Sequence, residues 1–280
     1  MNRKSIALGL ALLSVAGCSS ESFLLRKVRK QKLVNNIQVA LLESVEAEKS
    51  AVLATTDEES LKLAVEAQES TARIDALRAE LEGLIVADER PGEIEKLKAF
   101  DAAWAEFEDV DKRLLELAVA NTNLKAARLS AREGLAILNR FVDTLAEIQR
   151  ATGEADTIRI LSGTSVAALR VQTLLALHIP AAEDAEMKRL EQQIAALGEQ
   201  VDGNLSRVRT GSPAELIAVA SQSWGEYQRI LVDILRLSRE NSNVISFDVS
   251  IHEKRLVTKK CLGALGALLA EVESGPKPTR

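Results

Sequence analysis

Hydrophobic positions recur every three or four residues through most of the chain, which is the spacing of amphipathic α-helices. The clearest example follows Pro91, where the apolar row consists of Ile94, Leu97, Phe100, Trp104, Phe107, Val110, Leu114 and Leu117. Proline residues and short polar stretches interrupt the pattern, and such residues favour helix ends. We therefore predict helices over residues 22–55, 57–87, 91–121, 123–151, 155–179, 181–208, 212–242 and 245–273.

One stretch, ISFDVSIH over residues 245–252, instead alternates apolar and polar positions with a period of two. That alternation is typical of a β-strand. A single strand among helices would leave backbone groups unpaired along both of its edges. We therefore predict that this stretch is helical, like its neighbours.

The composition supports an all-α fold and disfavours one class of partner. Hydrophobic residues make up 46% of the chain and aromatic residues only 3%. Ala, Leu, Glu, Lys and Arg dominate, which is typical of long helices packed through aliphatic side chains. The formal charge is −5. A nucleic-acid partner is disfavoured, because binding phosphates requires a clustered basic surface.

The two halves of the chain repeat each other without gaps. The phrase LAVANTNLKAARLS begins at Leu117, and LSRENSNVISFDVS begins at Leu237, 120 positions later. At this offset Trp104 matches Trp224, Phe107 matches Tyr227, Asn121 matches Asn241 and Asn123 matches Asn243. Two copies are too few for a solenoid, so we predict two tandem antiparallel four-helix bundles. The predicted segments are a signal peptide (1–17), a first bundle (18–152), a second bundle (153–274) and a tail (275–280).

The first residues predict export. A short basic segment, MNRKS, precedes the apolar run IALGLALLSV, which is too short to span a bilayer. VAGC then ends in small residues before Cys18, so the segment resembles a bacterial lipoprotein signal. The resemblance implies cleavage before Cys18 and lipidation of that cysteine. Several acyl chains would anchor the protein stably, whereas one chain alone is marginal.

The residues after Cys18 predict the location in the cell envelope. Ser19 and Ser20 follow the cysteine, without the aspartate that retains many lipoproteins in the inner membrane. The resemblance therefore favours an outer-membrane lipoprotein that faces the periplasm. A basic cluster follows, consisting of Arg26, Lys27, Arg29, Lys30 and Lys32. It could contact anionic lipid headgroups or form a solvated basic helix face.

The order of motifs resembles a known sensor family. AEKSAVLATTDEESLKLAVEAQ, RIDALRAELEGL, AFDAAWAEF and LLELAVANTNLKA resemble the four-helix-bundle sensor domain of methyl-accepting chemotaxis receptors. LLALHIPAAEDAEMKRLEQQI and SWGEYQRILVDILRLSRENSNV resemble a second copy. The resemblance implies an extracytoplasmic ligand-binding bundle. No segment matches that family's second transmembrane helix or methylated coiled coil, so we expect no signalling across a membrane by this chain alone.

The repeated polar phrase allows three interpretations. In the sensor family a short turn falls at about this point, which implies that Asn121 ends one helix and Thr122 or Asn123 caps the next. Alternatively, the helix continues and a buried Asn121 fixes its register. A third interpretation has Asn121, Asn123, Asn241 and Asn243 contacting a small polar ligand. Trp104 and Trp224 are further candidate ligand contacts, although we expect them to fill a core or an interface.

The sequence offers little catalytic chemistry. His178 and His252 each lack a second histidine at helical spacing, so we predict no metal site. His178 precedes Pro180, where we expect a helix-capping or surface residue. Cys261 lies on an aliphatic helix and is expected to be a small buried hydrophobe. No nucleophile elbow, phosphate loop or dinucleotide fingerprint is present. We expect a non-enzymatic protein without a cofactor.

Two functional hypotheses follow. In the first, a lipid-anchored pair of bundles binds a small metabolite or an envelope signalling protein. In the second, the same helices form a structural or adaptor lipoprotein that docks another envelope protein. The expected partners are therefore the membrane, a small ligand or an envelope protein, with homodimer formation left open and nucleic acid disfavoured.

Overall fold

The computed structural model describes residues 10–210 and 212–275, with side chains from residue 23 onward. No strand occurs within these ranges, so the predicted all-α fold class is confirmed. Two π-helical segments, Ser130–Gly134 and Ser250–Lys254, interrupt the α-helices. The α-helices are α1 (Leu10–Leu53), α2 (Asp57–Asp88), α3 (Pro91–Ala120), α4 (Thr122–Leu129), α5 (Leu135–Ala151), α6 (Ala155–His178), α7 (Asp184–Val208), α8 (Ala214–Glu240), α9 (Ser242–Val249) and α10 (Arg255–Ser274).

Local sequence explains several of the helix boundaries. The Thr56 hydroxyl accepts a hydrogen bond from the Glu59 N–H at 3.1 Å and so caps α2. Pro91 is the first residue of α3, where its missing N–H costs nothing. Pro213 directly precedes α8, which begins at Ala214. The alternating stretch at 245–252 is helical, as predicted.

The chain divides into two compact units, and this division differs from the predicted boundary at residues 152 and 153. Unit 1 comprises residues 1–119 and 248–280, and unit 2 comprises residues 120–247. The difference arises because residues 122–151 share a core with α6, α7 and α8, whereas α10 shares one with α1, α2 and α3. The sequence repeat and the compact units therefore have different boundaries.

Unit 1 buries an apolar core that four of its helices supply. The core includes Leu33, Ile37 and Leu41 of α1, Ile74 and Leu81 of α2, Phe100 and Phe107 of α3, and Leu265 and Leu268 of α10. Ala51, Ala64, Leu114 and Val249 belong to a second, smaller cluster in the same unit. Burial of these side chains is the main favourable contribution to folding.

Unit 2 has a matching core. It includes Leu138 and Phe141 of α5, Leu161 and Val171 of α6, Ile194 and Val201 of α7, and Trp224 and Ile234 of α8. Within the described ranges, α6 is the one helix whose length and mean hydropathy of 1.4 would suffice to cross a bilayer. A core helix passes the same test, and Leu161, Val171 and Leu175 of α6 are fully buried in unit 2.

Candidate functional sites

The repeated polar phrase forms two equivalent turns in unit 2. Asn121 and Asn241 adopt left-handed backbone conformations, with φ values of 50° and 52°. Asparagine tolerates this region better than most residues, because its short polar side chain can bond locally. The structure thus has a turn at each phrase instead of a continuous helix, and Asn121 is also fully buried.

The first residues of α4 and α9 cap each other. The Thr122 N–H donates to the Ser242 hydroxyl at 3.0 Å, and the Ser242 N–H donates to the Thr122 hydroxyl at 3.0 Å. Asn123 and Asn243 likewise exchange bonds from backbone N–H to side-chain Oδ1, each at 3.1 Å. Helix N-termini leave such N–H groups unpaired within their own helix. The caps are therefore reciprocal, whereas the sequence predicted capping within one helix.

The remaining amide groups close the same network. Asn123 Nδ2 donates to Asn241 Oδ1 at 2.7 Å, and Asn243 Nδ2 donates to Asn121 Oδ1 at 2.9 Å. Asn123 Nδ2 also donates to the backbone carbonyl of Ile179 at 2.6 Å. These asparagines are thus engaged in holding the turns. Only Asn121 Nδ2 lacks a hydrogen-bond partner among the described residues of this cluster.

The two tryptophans lie in the cores of their units. Trp104 is fully buried in unit 1, and its indole N–H donates to Asp75 at 2.9 Å. Trp224 is buried in unit 2 and donates to Asp202 at 2.8 Å. Trp104 stacks on Phe107 with ring centroids 5.0 Å apart. Both residues therefore fill cores and have partnered N–H groups, as buried indoles require.

A buried charged cluster, which we call the Lys254 centre, lies in unit 1. Lys254 ends the second π-helical segment, and its Nζ lies 2.8 Å from Glu48 Oε2 of α1. The same ammonium forms an ion pair with Asp111 of α3. It also lies 3.4 Å from the centroid of the Phe107 ring, a favourable position for a cation. All three charged side chains are at most 8% exposed.

The electrostatics of the Lys254 centre are unbalanced, because two carboxylates face one ammonium. The pKa of Glu48 is raised to about 7, chiefly by burial, with Lys254 opposing the change and the nearby Asp111 adding to it. When Glu48 carries a proton, the centre contains one cation and one anion. This centre could not be predicted from the sequence, because its residues lie far apart in the chain.

The equivalent place in unit 2 is uncharged. At the repeat offset, the first π-helical segment has Gly134 where the second has Lys254, and Tyr227 replaces Phe107. The Tyr227 hydroxyl donates to Gln172 Oε1 at 3.1 Å, and Gln172 Nε2 donates to the Ser130 hydroxyl at 2.9 Å. At this place unit 2 thus satisfies its polar groups with neutral hydrogen bonds.

A groove of about 810 Å³ runs between α2 and α3 of unit 1. Its apolar wall includes Leu61, Val65, Leu115 and Val119. Its charged lining consists of Glu108, Asp109, Asp111, Lys112 and Glu116, four carboxylates and one ammonium. Burial is the largest cause of a raised pKa at Glu108, and the carboxylate of Asp75 adds to it. Asp111 belongs both to this groove and to the Lys254 centre.

The basic cluster after Cys18 is largely paired within unit 1. Lys30 is 1% exposed and bonds Asp88 at 2.8 Å, while its ammonium also pairs with Glu93. Other ion pairs and hydrogen bonds join Arg26 to Asp88, Arg29 to Glu80 and Lys27 to the Glu273 carbonyl. The cluster therefore stabilises helix packing, which neither of the two sequence interpretations included. The backbone of Cys18 lies in α1, but its side chain and residues 1–9 of the predicted signal lie outside the described part.

His178 is fully buried, so the expectation of a capping or surface residue is wrong. Its Nδ1 lies 2.8 Å from the Ser238 hydroxyl, and its Nε2 lies 3.0 Å from Glu191 Oε1. Hydrogen bonds from Arg239, and secondarily from His178, lower the pKa of Glu191. The residue types match a nucleophilic triad, but Ser238 is 0% exposed and so cannot meet a substrate in this structure.

The remaining candidates for chemistry are structural in the described ranges. Cys261 is fully buried, as expected, and burial raises the pKa of its thiol to about 12. Such a thiol is a poor nucleophile, because the thiolate is the reactive form. Within residues 10–210 and 212–275, no group of three or more His, Cys, Asp or Glu residues is placed to hold a metal ion.

The chain was compared with protein families, curated sequences and solved structures. The chain matches no protein-family model, no curated protein sequence and no solved structure.

Proposed function

We propose that this chain is a non-enzymatic, lipid-anchored binding protein of the bacterial envelope, with its small-ligand site in the α2–α3 groove of unit 1. The observation that carries the proposal is the groove itself, about 810 Å³ in volume and lined by apolar residues of α2 and α3 and by charged residues of α3. That volume lies within the range of small-molecule sites.

The groove lining indicates the class of ligand. Leu61, Val65 and Val119 offer an apolar surface, and the charged groups give a local excess of carboxylates. An organic cation with an apolar body satisfies both surfaces. Burial opposes ionisation of Glu108, and a bound cation would favour its charged form. We therefore expect amines with hydrophobic chains or rings to bind better than organic acids.

The envelope location rests on the sequence around Cys18. The small residues before this cysteine and the preceding apolar run support cleavage and lipidation, with the mature chain facing the periplasm from the outer membrane. The resemblance to chemotaxis-receptor sensor domains supports ligand sensing as the purpose of the anchored helices. Metabolic labelling with a radioactive fatty acid tests the anchor, because Cys18→Ser should abolish incorporation.

An adaptor function is the second candidate, and one observation favours it. Leu25 and Val28, and also Val39 and Leu42, are exposed apolar pairs on one face of α1, with exposures between 53% and 67%. Eleven residues are about three helical turns, so the two pairs form a stripe that the polar Lys32 and Asn35 interrupt. Such a stripe suits an apolar helix of an envelope protein or a second copy of this chain.

A thermal-shift screen of the full chain in detergent distinguishes the two functions. The panel contains alkyl amines, polyamines, aromatic amines, amino acids and organic acids. A ligand at 100 times its dissociation constant adds about 2.7 kcal/mol to the free energy of unfolding, so binding should raise Tm saturably. Glu108→Gln should weaken the response, while Glu199→Gln on α7 of unit 2 is the matched control.

The outcome without binding is equally informative. Flat responses to the whole panel, together with a cooperative unfolding transition, would contradict the ligand-binding proposal. In that case Val39→Asp should disrupt self-association or capture of an envelope partner.

A further inference from the structure

We propose that the Lys254 centre is a proton-operated switch, in which one proton on Glu48 releases the Lys254 ammonium to pair with Asp111 alone. The proposal concerns the centre itself and does not depend on a ligand in the α2–α3 groove.

The geometry of the centre supports this role. Glu48, Asp111 and Lys254 come from α1, α3 and the second π-helical segment, so three separate elements meet at one ammonium. Glu48 Oε2 lies 2.8 Å from Lys254 Nζ, and Glu48 Oε1 lies 3.5 Å from the Ser250 hydroxyl. With both carboxylates ionised, the buried centre carries a net negative charge, which is unfavourable away from water. One bound proton removes that charge.

The surrounding charges do not supply the missing cation. On the α1 side Lys49, and on the α10 side Arg255, line a groove of about 280 Å³ with Lys254, and both side chains are exposed. On α3, Glu108 adds negative charge beside Asp111. From α2, the groove residues next to Asp111 are the uncharged Gln68 and Thr71. On α10, the buried thiol of Cys261 is neutral at physiological pH, because burial raises its pKa to about 12.

The comparison with unit 2 shows which features are specific to the charged centre. The first π-helical segment has the same length and the same repeat position, yet it ends at Gly134. Its Ser130 hydroxyl accepts a hydrogen bond from Gln172, whose own side-chain oxygen accepts one from Tyr227. A π-helical segment at this place therefore does not require a lysine or a carboxylate. π-helical segments frequently occur at functional sites. In unit 1 the segment ends at the lysine that pairs with two carboxylates.

Protonation should alter the contacts that Lys254 makes. Loss of the Glu48 charge removes one of the two anionic partners of Lys254, so the ammonium should move away from Glu48 while it keeps its contacts with Asp111 and the Phe107 ring. Phe107 stacks on Trp104 at 5.0 Å, which makes Trp104 a reporter in the same unit. Trp224 lies in unit 2, away from the Lys254 centre, and provides an internal comparison.

Infrared and fluorescence titrations of the full chain in detergent test the switch between about pH 5 and pH 9. The infrared spectrum should contain a carboxylic-acid carbonyl band that disappears as pH rises through neutrality and is absent in Glu48→Gln. In a Trp224→Phe variant, Trp104 fluorescence should follow the same one-proton transition. Adding Glu48→Gln to the Trp224→Phe variant should abolish this fluorescence transition. A Trp104→Phe variant, whose fluorescence comes from Trp224, should not show the transition.

Two results would overturn the switch. One is the absence of any band near neutral pH that Glu48→Gln removes, since Glu48 would then titrate as an ordinary carboxyl group. The other is a Trp104 transition that persists unchanged in Glu48→Gln, since another group would then drive it. Circular dichroism shows whether the variants fold, and Gln172 in unit 2 indicates that an amide suits this kind of place.

Discussion

Thr122 and Ser242 cap each other's helices, although 120 residues separate them in the chain. Each hydroxyl accepts a hydrogen bond from the other residue's N–H at 3.0 Å. The two hydroxyls also lie 3.2 Å apart. This exchange ties the start of α4 to the start of α9 and explains why the polar phrase occurs twice.

Removal of either cap should destabilise the protein. We expect Thr122→Ala and Ser242→Ala each to lower the free energy of unfolding by about 1 kcal/mol, the usual effect of losing a cap. Because the two residues share bonds, the double variant should lose less than the sum of the single losses. Urea unfolding of the unsubstituted protein, the two single variants and the double variant measures this coupling. Strictly additive losses would contradict reciprocal capping.

Glu89 at the C-terminal end of α2 offers a stabilising substitution. Its φ of 50° lies in the left-handed region, where a side chain is disfavoured. We expect Glu89→Gly to raise the free energy of unfolding by about 0.5–1 kcal/mol. Glu95→Gly inside α3 is the matched control and should lower it by about 1 kcal/mol. A destabilising effect of Glu89→Gly would show that its side chain makes a necessary contact.

Replacement of Lys254 alone should strongly lower the free energy of unfolding. Lys254→Met leaves Glu48 and Asp111 buried without a cation, so we expect a loss of about 3–5 kcal/mol, the usual effect of breaking a buried ion pair. A triple variant without charge at this centre, with Glu48→Gln, Asp111→Leu and Lys254→Met, should recover most of that loss. Thermal unfolding measures both, and a triple variant no more stable than Lys254→Met would contradict this account.

The same centre should make stability depend on pH. The pKa of Glu48 is raised from 4.5 to about 7 in the folded state, so the folded protein binds more protons than the unfolded chain between these values. Its contribution is therefore most favourable below pH 4.5 and is lost as pH rises through about 7. The full change is on the order of 3 kcal/mol.

Glu48→Gln provides the control for this pH dependence. The variant should flatten the decrease in stability between about pH 5 and pH 7, because it removes the group that titrates. Urea unfolding at several pH values measures the difference. If the free energy of unfolding changed with pH by the same amount in both proteins, Glu48 would have the same pKa in the folded and unfolded chains.

The sequence predicted the helices well because their causes are local. Apolar spacing, Pro91 and Thr56 all act within a few residues, so α2 and α3 begin where the sequence indicates. The left-handed turns at Asn121 and Asn241 also have a local signal, the asparagine itself.

The interactions that depend on distant residues could not be predicted in this way. The sequence repeat predicts that Thr122 and Ser242 occupy equivalent positions, but it does not predict that they form hydrogen bonds with each other. The sequence around Lys254 does not predict its contacts with Glu48 and Asp111. The sequence around His178 likewise does not predict its contacts with Ser238 and Glu191. The boundary between compact units differs from the repeat boundary for the same reason, since it depends on which distant helices share a core.

Hydrogen–deuterium exchange tests the proposed ligand site most directly. The full chain is compared with and without the amine that gives the largest rise in Tm. We predict slower exchange in α2 around residues 61–71 and in α3 around residues 108–119, which line the groove. Glu108→Gln should reduce that protection. Protection confined to unit 2, or none at a concentration that saturates the rise in Tm, would contradict ligand binding in the α2–α3 groove.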